Sequence, residues 1–128
     1  MDSEIVPAVK AFVVKNGKVL LLNKRRSEEF YSAYDIPGGR MKFGEEPEEA
    51  LEREVKEETN LSVKLIKPIA MTTILKKGKY QVVGTVFLCK ANSKIKLSEE
   101  HTSYEWIDLK ELKTKKYPEW LRRIAGKV

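Results

Sequence analysis

Gly39, five residues, Glu45, seven residues, then Arg53-Glu54-Val55-Lys56-Glu57-Glu58-Thr59-Asn60-Leu61 is the stretch on which the reading of this chain turns. Just ahead of its second half, Glu46-Pro47-Glu48-Glu49 reads as a helix start. Proline fits the first helical position, where its missing N–H costs nothing, and carboxylates there oppose the positive end of the macrodipole. The helix is expected to run to about Thr59. With residues ~100° apart around its axis, Ala50, Leu51 and Val55 define a buried stripe, and Glu49, Glu52 and Lys56 face water. Glu54 and Glu58 fall inside the apolar sector, with Glu57 at its edge. The 54, 57, 58 spacing is the i, i+3, i+4 pattern that gathers side chains on one face. Asn60 suits a left-handed helix end.

The stretch resembles a Nudix box: a glycine, a glutamate six on, then Arg-Glu-aliphatic-x-Glu-Glu-x-Gly-aliphatic after seven more. Its one departure is Asn60, where the family has its last glycine. The resemblance implies glutamates that bind divalent metal beside a diphosphate. It also implies an ion pair between Arg53 and Glu45 that holds the preceding loop against the helix, and a main-chain carbonyl of Gly38 as a metal ligand. The residues themselves point the same way. Clustered, partly buried carboxylates repel one another and cost several kcal/mol unless a cation joins them. An all-oxygen donor set suits a hard ion, Mg²⁺ or Mn²⁺.

Length and composition bound the rest. A chain of 128 residues, 41% hydrophobic, has room for one domain with one core, here taken as residues 1–128 with the box at 39–61. No apolar run approaches the ~20 residues of a membrane span and no leader opens the chain, so a cytoplasmic protein without membrane contact is expected. Cys89, the single cysteine, lies in an apolar run and reads as a packing residue; one Cys and one His cannot make a structural zinc site. Residues 45–58 hold eight glutamates against Arg53 and Lys56, a net of −6, which leaves 23 basic and 11 acidic residues elsewhere, a net of +12. An acidic centre in a basic frame attracts polyanions.

Outside the box, Ala8–Val14 and Lys18–Leu22 flank Asn16-Gly17, a strong signal for a tight hairpin. Asp35-Ile36-Pro37-Gly38-Gly39 is a glycine-rich approach to the box whose backbone can come close to a metal or phosphate. Leu61–Ile66, Met71–Leu75, Tyr80–Cys89 and Tyr104–Ile107 read as further strands, and Tyr117–Ala125 as a short amphipathic helix. This order predicts an α/β fold, an α/β/α sandwich around a mixed sheet, which is also the architecture that the resemblance implies.

The resemblance implies hydrolysis of a phosphoanhydride in a nucleoside diphosphate linked to X, giving a nucleoside monophosphate plus phosphate-X or pyrophosphate. Glu54, Glu57 and Glu58 would hold the metal, with Glu54 the first candidate for general base and Arg53 and Glu45 in support. Glu105, near Trp106 on the last strand, resembles a late family glutamate that can face the metals, with Glu100 the alternative; His101 could protonate or hold a phosphate. Arg25 or Arg26 would bind phosphate, beside Gly39, and a ring could stack on Tyr34 or Tyr80, with Phe30 and Tyr31 also available. Substrate markers are mostly absent: the chain lacks the proline that ADP-ribose hydrolases tend to carry about fifteen residues after the box, and it looks most like the MutT-type group. The expected partner is a small-molecule nucleotide, on a monomer or homodimer. Action on RNA 5′ ends, favoured by the basic frame, and a catalytically silent nucleotide-binding module are the alternatives.

Overall fold

Asn16 and Gly17 both take left-handed backbone, φ 53° and 74°, the conformation that a two-residue hairpin turn requires. They join β1 (Glu4–Lys15) to β2 (Lys18–Lys24). The computed structural model describes residues 4–24, 34–76, 78–91 and 101–128. The hairpin pairs only near its turn, Val14 with Val19 and Lys15 with Lys18. Lower down, β4 (Gly38–Arg40) lies beside β1 instead, with Ala8 opposite Arg40, Val9 opposite Gly39 and Lys10 opposite Gly38. This switch of partner brings the two glycines against the middle of the sheet.

The remaining strands are β3 (Tyr34–Asp35), β5 (Val63–Lys76), β6 (Tyr80–Ala91) and β7 (His101–Asp108). The order is β3-β2-β1-β6-β5, with β4 also on β1 and β7 also on β2. β1 runs parallel to β6 and the other pairs are antiparallel, so the sheet is mixed.

Alternation along the strands feeds two cores. Val9, Ala11, Val13, Leu20 and Leu22 face α1 (Pro47–Thr59) through Ala50, Leu51 and Val55. Phe12, Val19 and Leu21 face the other way, onto Leu112 of α2 (Leu109–Leu112) and Leu121, Ile124 and Ala125 of α3 (Glu119–Ala125). The result is the expected α/β/α sandwich. Each of the large apolar side chains sealed in these layers contributes about 1.5–3 kcal/mol by leaving water.

Two expectations change. The strands read separately at Leu61–Ile66 and Met71–Leu75 are one, β5, which crosses Lys67-Pro68 with register shifts between Leu65 and Lys67 and between Pro68 and Ala70. Proline survives there because β5 is the outermost strand of the sheet order and the bulges absorb the missing ladder bond. The single late helix is also two: α2 precedes α3, and the second begins at Glu119 after Pro118 rather than at Tyr117. Among the described residues no helix is long and apolar enough to cross a membrane. Cys89 is buried, and burial pushes its thiol up to about 12, which leaves it an inert packing group.

Candidate functional site

Helix α1 starts and stops as its sequence dictates. Pro47 opens it after Glu46 in extended conformation, and the Glu46 N–H donates to Glu49 Oε1 at 3.2 Å, half of a reciprocal cap. It ends at Asn60, φ 60° and ψ 12°, whose N–H donates to the Lys56 carbonyl at 2.9 Å. Thr59 seals the same end: its hydroxyl donates to the Val55 carbonyl and accepts from the Leu61 N–H. With both ends fixed and Ala50, Leu51 and Val55 fully buried, the helix has one rotational setting. That setting puts Glu58 inside, at 8% exposure, Glu54 partly covered and Glu57 about half exposed.

Arg53 organises the charges. Its Nε donates to Glu45 Oε2 at 2.6 Å and its Nη2 to Glu45 Oε1 at 2.9 Å, a two-pronged pairing. Glu45 also accepts the Lys42 N–H at 2.6 Å, and Arg53 Nη2 donates to the Arg40 carbonyl at 3.3 Å. The loop from β4 to α1 is thus tied to the helix at both ends. Hydrogen bonds from Arg53 and then from the Lys42 backbone pull the Glu45 carboxyl down to about 2. Arg53 Nη1 meanwhile donates to Glu54 Oε1 at 2.9 Å and to Glu57 Oε2 at 3.4 Å. Three carboxylates therefore share one guanidinium.

The glycines admit the carboxylates. A Cβ on Gly39 would stand 2.6 Å from Glu54 Oε2, so only glycine leaves room for that carboxylate. Gly38 has φ 146°, and a Cβ there would collide with the Val9 carbonyl and with Lys10. Its N–H donates to Glu58 Oε1 at 2.7 Å in a buried bond. Lys10, opposite Gly38, sends its Nζ to Asp35 Oδ1 at 3.1 Å and to the Ile36 carbonyl at 3.4 Å. Burial opposes its charged form, but Asp35, and then Glu58 and Glu54, outweigh that and hold its pKa above the ordinary lysine value.

Other expected site residues are less closely joined to the box. Tyr80 carries Arg40 over its ring, 4.5 Å from the centroid, so it reaches the loop through a cation–π contact. Tyr34 meets Tyr117, ring centroids 5.4 Å apart, as part of the α3-side core. Glu105 lies opposite Leu21, on the sheet face turned to α3, and accepts from Asn23 Nδ2 at 3.4 Å. Arg25 and Arg26 lie outside the described residues, as do Phe30, Tyr31 and Glu100 and the side chain of His101. Lys10, Asp35 and Arg40 are the residues the sequence reading missed. Lys10 had a signal: it is the one charge inside the apolar run Ala8–Val14.

Carboxylate oxygens brought together on α1 are a donor set that fits a hard divalent cation. The gathering expected from the spacing is partial. Among the described residues no three acidic, histidine or cysteine side chains converge into a metal cluster. Glu54 and Glu57 lean on Arg53, and Glu58 on Gly38.

A family model described as the NUDIX domain matches residues 5–126. The chain is 31% identical over 107 residues to an ADP-ribose pyrophosphatase of Methanocaldococcus jannaschii, covering 82% of this chain and 63% of that protein. It is 35% identical over 63 residues to an 8-oxo-dGTP diphosphatase of Haemophilus influenzae, covering 48% and 46%. The chain thus spans less than two thirds of the length of these relatives. A MutT protein of Methanosarcina mazei Go1 shares the fold, with a TM-score of 0.83 at 24% identity over 98% of this chain and 94% of that one.

Proposed function

The chain belongs to the NUDIX domain family, and on that premise we propose that it hydrolyses a phosphoanhydride bond in a nucleoside diphosphate derivative with the help of Mg²⁺ or Mn²⁺. The products would be a nucleoside monophosphate and either phosphate-X or pyrophosphate. The observation that carries this reading is the Glu54–Glu58 face of α1. Its carboxylates gather around Arg53 and the Gly38 N–H and abut two glycines where no side chain fits. The two relatives named for a substrate act, by their names, on ADP-ribose and on 8-oxo-dGTP. Both substrates contain a nucleoside diphosphate, which supports the class while leaving X open.

A phosphoanhydride resists hydrolysis because its anionic oxygens repel hydroxide. A divalent ion held by Glu54, Glu57, Glu58 and the Gly38 carbonyl would supply charge neutralisation and a more acidic water. The chain's own residues divide the remaining work. Glu54, partly exposed and beside Gly39, is the first candidate to take the proton from the attacking water. Glu58 is held in one orientation by the Gly38 N–H, which suits a ligand more than a proton carrier that must turn. Arg53 keeps the Glu45 loop against the helix and ties down the Arg40 backbone next to Gly39. The backbone at Gly38 and Gly39 lets phosphate approach closely. Arg25 or Arg26 would grip the phosphates further from the ion, and Tyr80 would offer a ring surface. Glu105 remains a candidate for a second ion. A small nucleotide, rather than a nucleic acid, is the proposed partner, in the cytoplasm.

The test is a release assay over nucleoside triphosphates, ADP-ribose, nucleotide sugars, dinucleoside polyphosphates and capped RNA, each with Mg²⁺ and with Mn²⁺. Metal-dependent appearance of a nucleoside monophosphate from at least one substrate is expected. Silence across the panel in the presence of either ion would remove the enzymatic reading.

A further inference from the structure

We propose that Lys10 is a positioning residue that sets the orientation of Glu58 through the Asp35–Gly38 segment. Lys10 sits at the centre of β1, directly opposite Gly38 in the β1–β4 ladder. Its ammonium holds two points of the segment that leads into the glycines, the Asp35 carboxylate at 3.1 Å and the Ile36 carbonyl at 3.4 Å. The Ala11 N–H grips a third, the Pro37 carbonyl, at 2.7 Å. Three consecutive residues are therefore pinned to β1. The next group along the chain is the Gly38 N–H, which donates to Glu58 at 2.7 Å.

The surroundings give little slack. A Cβ at Gly38 would meet the Lys10 Cα at 2.7 Å and its Cδ at 2.9 Å, so the lysine stem lies flat against the glycine backbone. The Lys10 side chain is 22% exposed and Asp35 is 10% exposed, which shields the pair from solvent screening. A lysine half-sealed in an apolar strand is costly unless its charge is used, and here it is used on Asp35 beside the carboxylates of α1. Lys10 thus acts on the helix without belonging to it.

This inference rests on the reading of Glu58 as a metal ligand, and it fixes the sign of one measurement. If Lys10 were only a nearby positive charge, its removal would tighten cation binding by relieving repulsion. If it positions Glu58, its removal loosens the ligand, as outer groups that orient metal ligands do. Mn²⁺ binding to the full chain without substrate, followed by calorimetry or electron paramagnetic resonance, separates the two. Lys10→Met is expected to weaken Mn²⁺ affinity by about tenfold. It should also lower kcat while leaving KM near wild type. Lys10→Arg, which can reach both acceptors, should recover most of the loss. Lys10→Gln, which removes the same charge but keeps a polar end, should weaken Mn²⁺ in the same direction and serves if Lys10→Met does not fold. Mn²⁺ affinity equal to or tighter than wild type in whichever of Lys10→Met and Lys10→Gln folds would overturn the proposal. A wild-type chain that binds Mn²⁺ but hydrolyses no substrate would instead count against the function and leave the role of Lys10 standing.

Discussion

An alanine methyl at Gly39 would stand 2.6 Å from Glu54 Oε2, yet the residue's own backbone conformation is open to any amino acid. The contact therefore belongs to the site and not to the fold. Gly39→Ala should cost the fold less than about 1 kcal/mol while displacing Glu54 and lowering kcat by about 10²-fold, the order expected for a small misplacement of a catalytic group. Thermal melting alongside steady-state kinetics checks it; a parallel fall of both would assign Gly39 to folding. Glu45 offers a second test at this scale. Its carboxyl is pulled down to about 2 by Arg53 and Lys42, against an ordinary 4.5, so the clamp is complete above the ordinary value and is lost as pH falls through about 2. Wild type and Glu45→Gln should therefore differ in melting temperature near neutrality and converge between pH 4.5 and pH 2. A difference that persists unchanged through that window would deny the ion pair its part in stability.

At the scale of elements, α1 was legible in the sequence to within a residue because every device that sets it is local. Proline at its first turn, the 50, 51, 55 stripe and a residue tolerant of left-handed backbone at Asn60 are all read from neighbours in the chain. Asn60→Gly should stay within about 0.5 kcal/mol of wild type, and Asn60→Ala should destabilise by about 1 kcal/mol, since alanine pays the left-handed penalty without relief. Urea unfolding measures both. Strand β5 was misread because its rule is not local. A Lys-Pro step looks like a break until the strand is known to be outermost, where a missing ladder bond costs little. The short β3 and β4 escaped for the same reason: each is defined by its partner strand, with only two and three residues of its own.

At the scale of the molecule, the same division separates what the sequence revealed about the site from what it hid. Glu54, Glu57 and Glu58 share one helix, so spacing groups them, the Arg53–Glu45 pair followed from the family resemblance, and the structure joins Glu45, Glu54 and Glu57 through Arg53. Lys10 reaches Asp35 and the glycines only through the change of β1's partner from β2 to β4. A Coulombic contact made by sheet topology leaves no periodic trace in a sequence. The acidic helix stands within a chain of net charge +6, a frame that on the proposed function would draw an anionic substrate toward carboxylates that would repel it without a cation. The most direct measurement of that dependence is turnover by Glu57→Gln and Glu58→Gln beside wild type, at saturating Mg²⁺ or Mn²⁺, on whichever substrate the wild type accepts. Removal of a metal-holding or proton-transferring carboxylate predicts a loss of at least ~10²-fold in each, with melting temperatures near wild type. Wild-type rates in both variants would contradict the assignment of the chemistry to this helix.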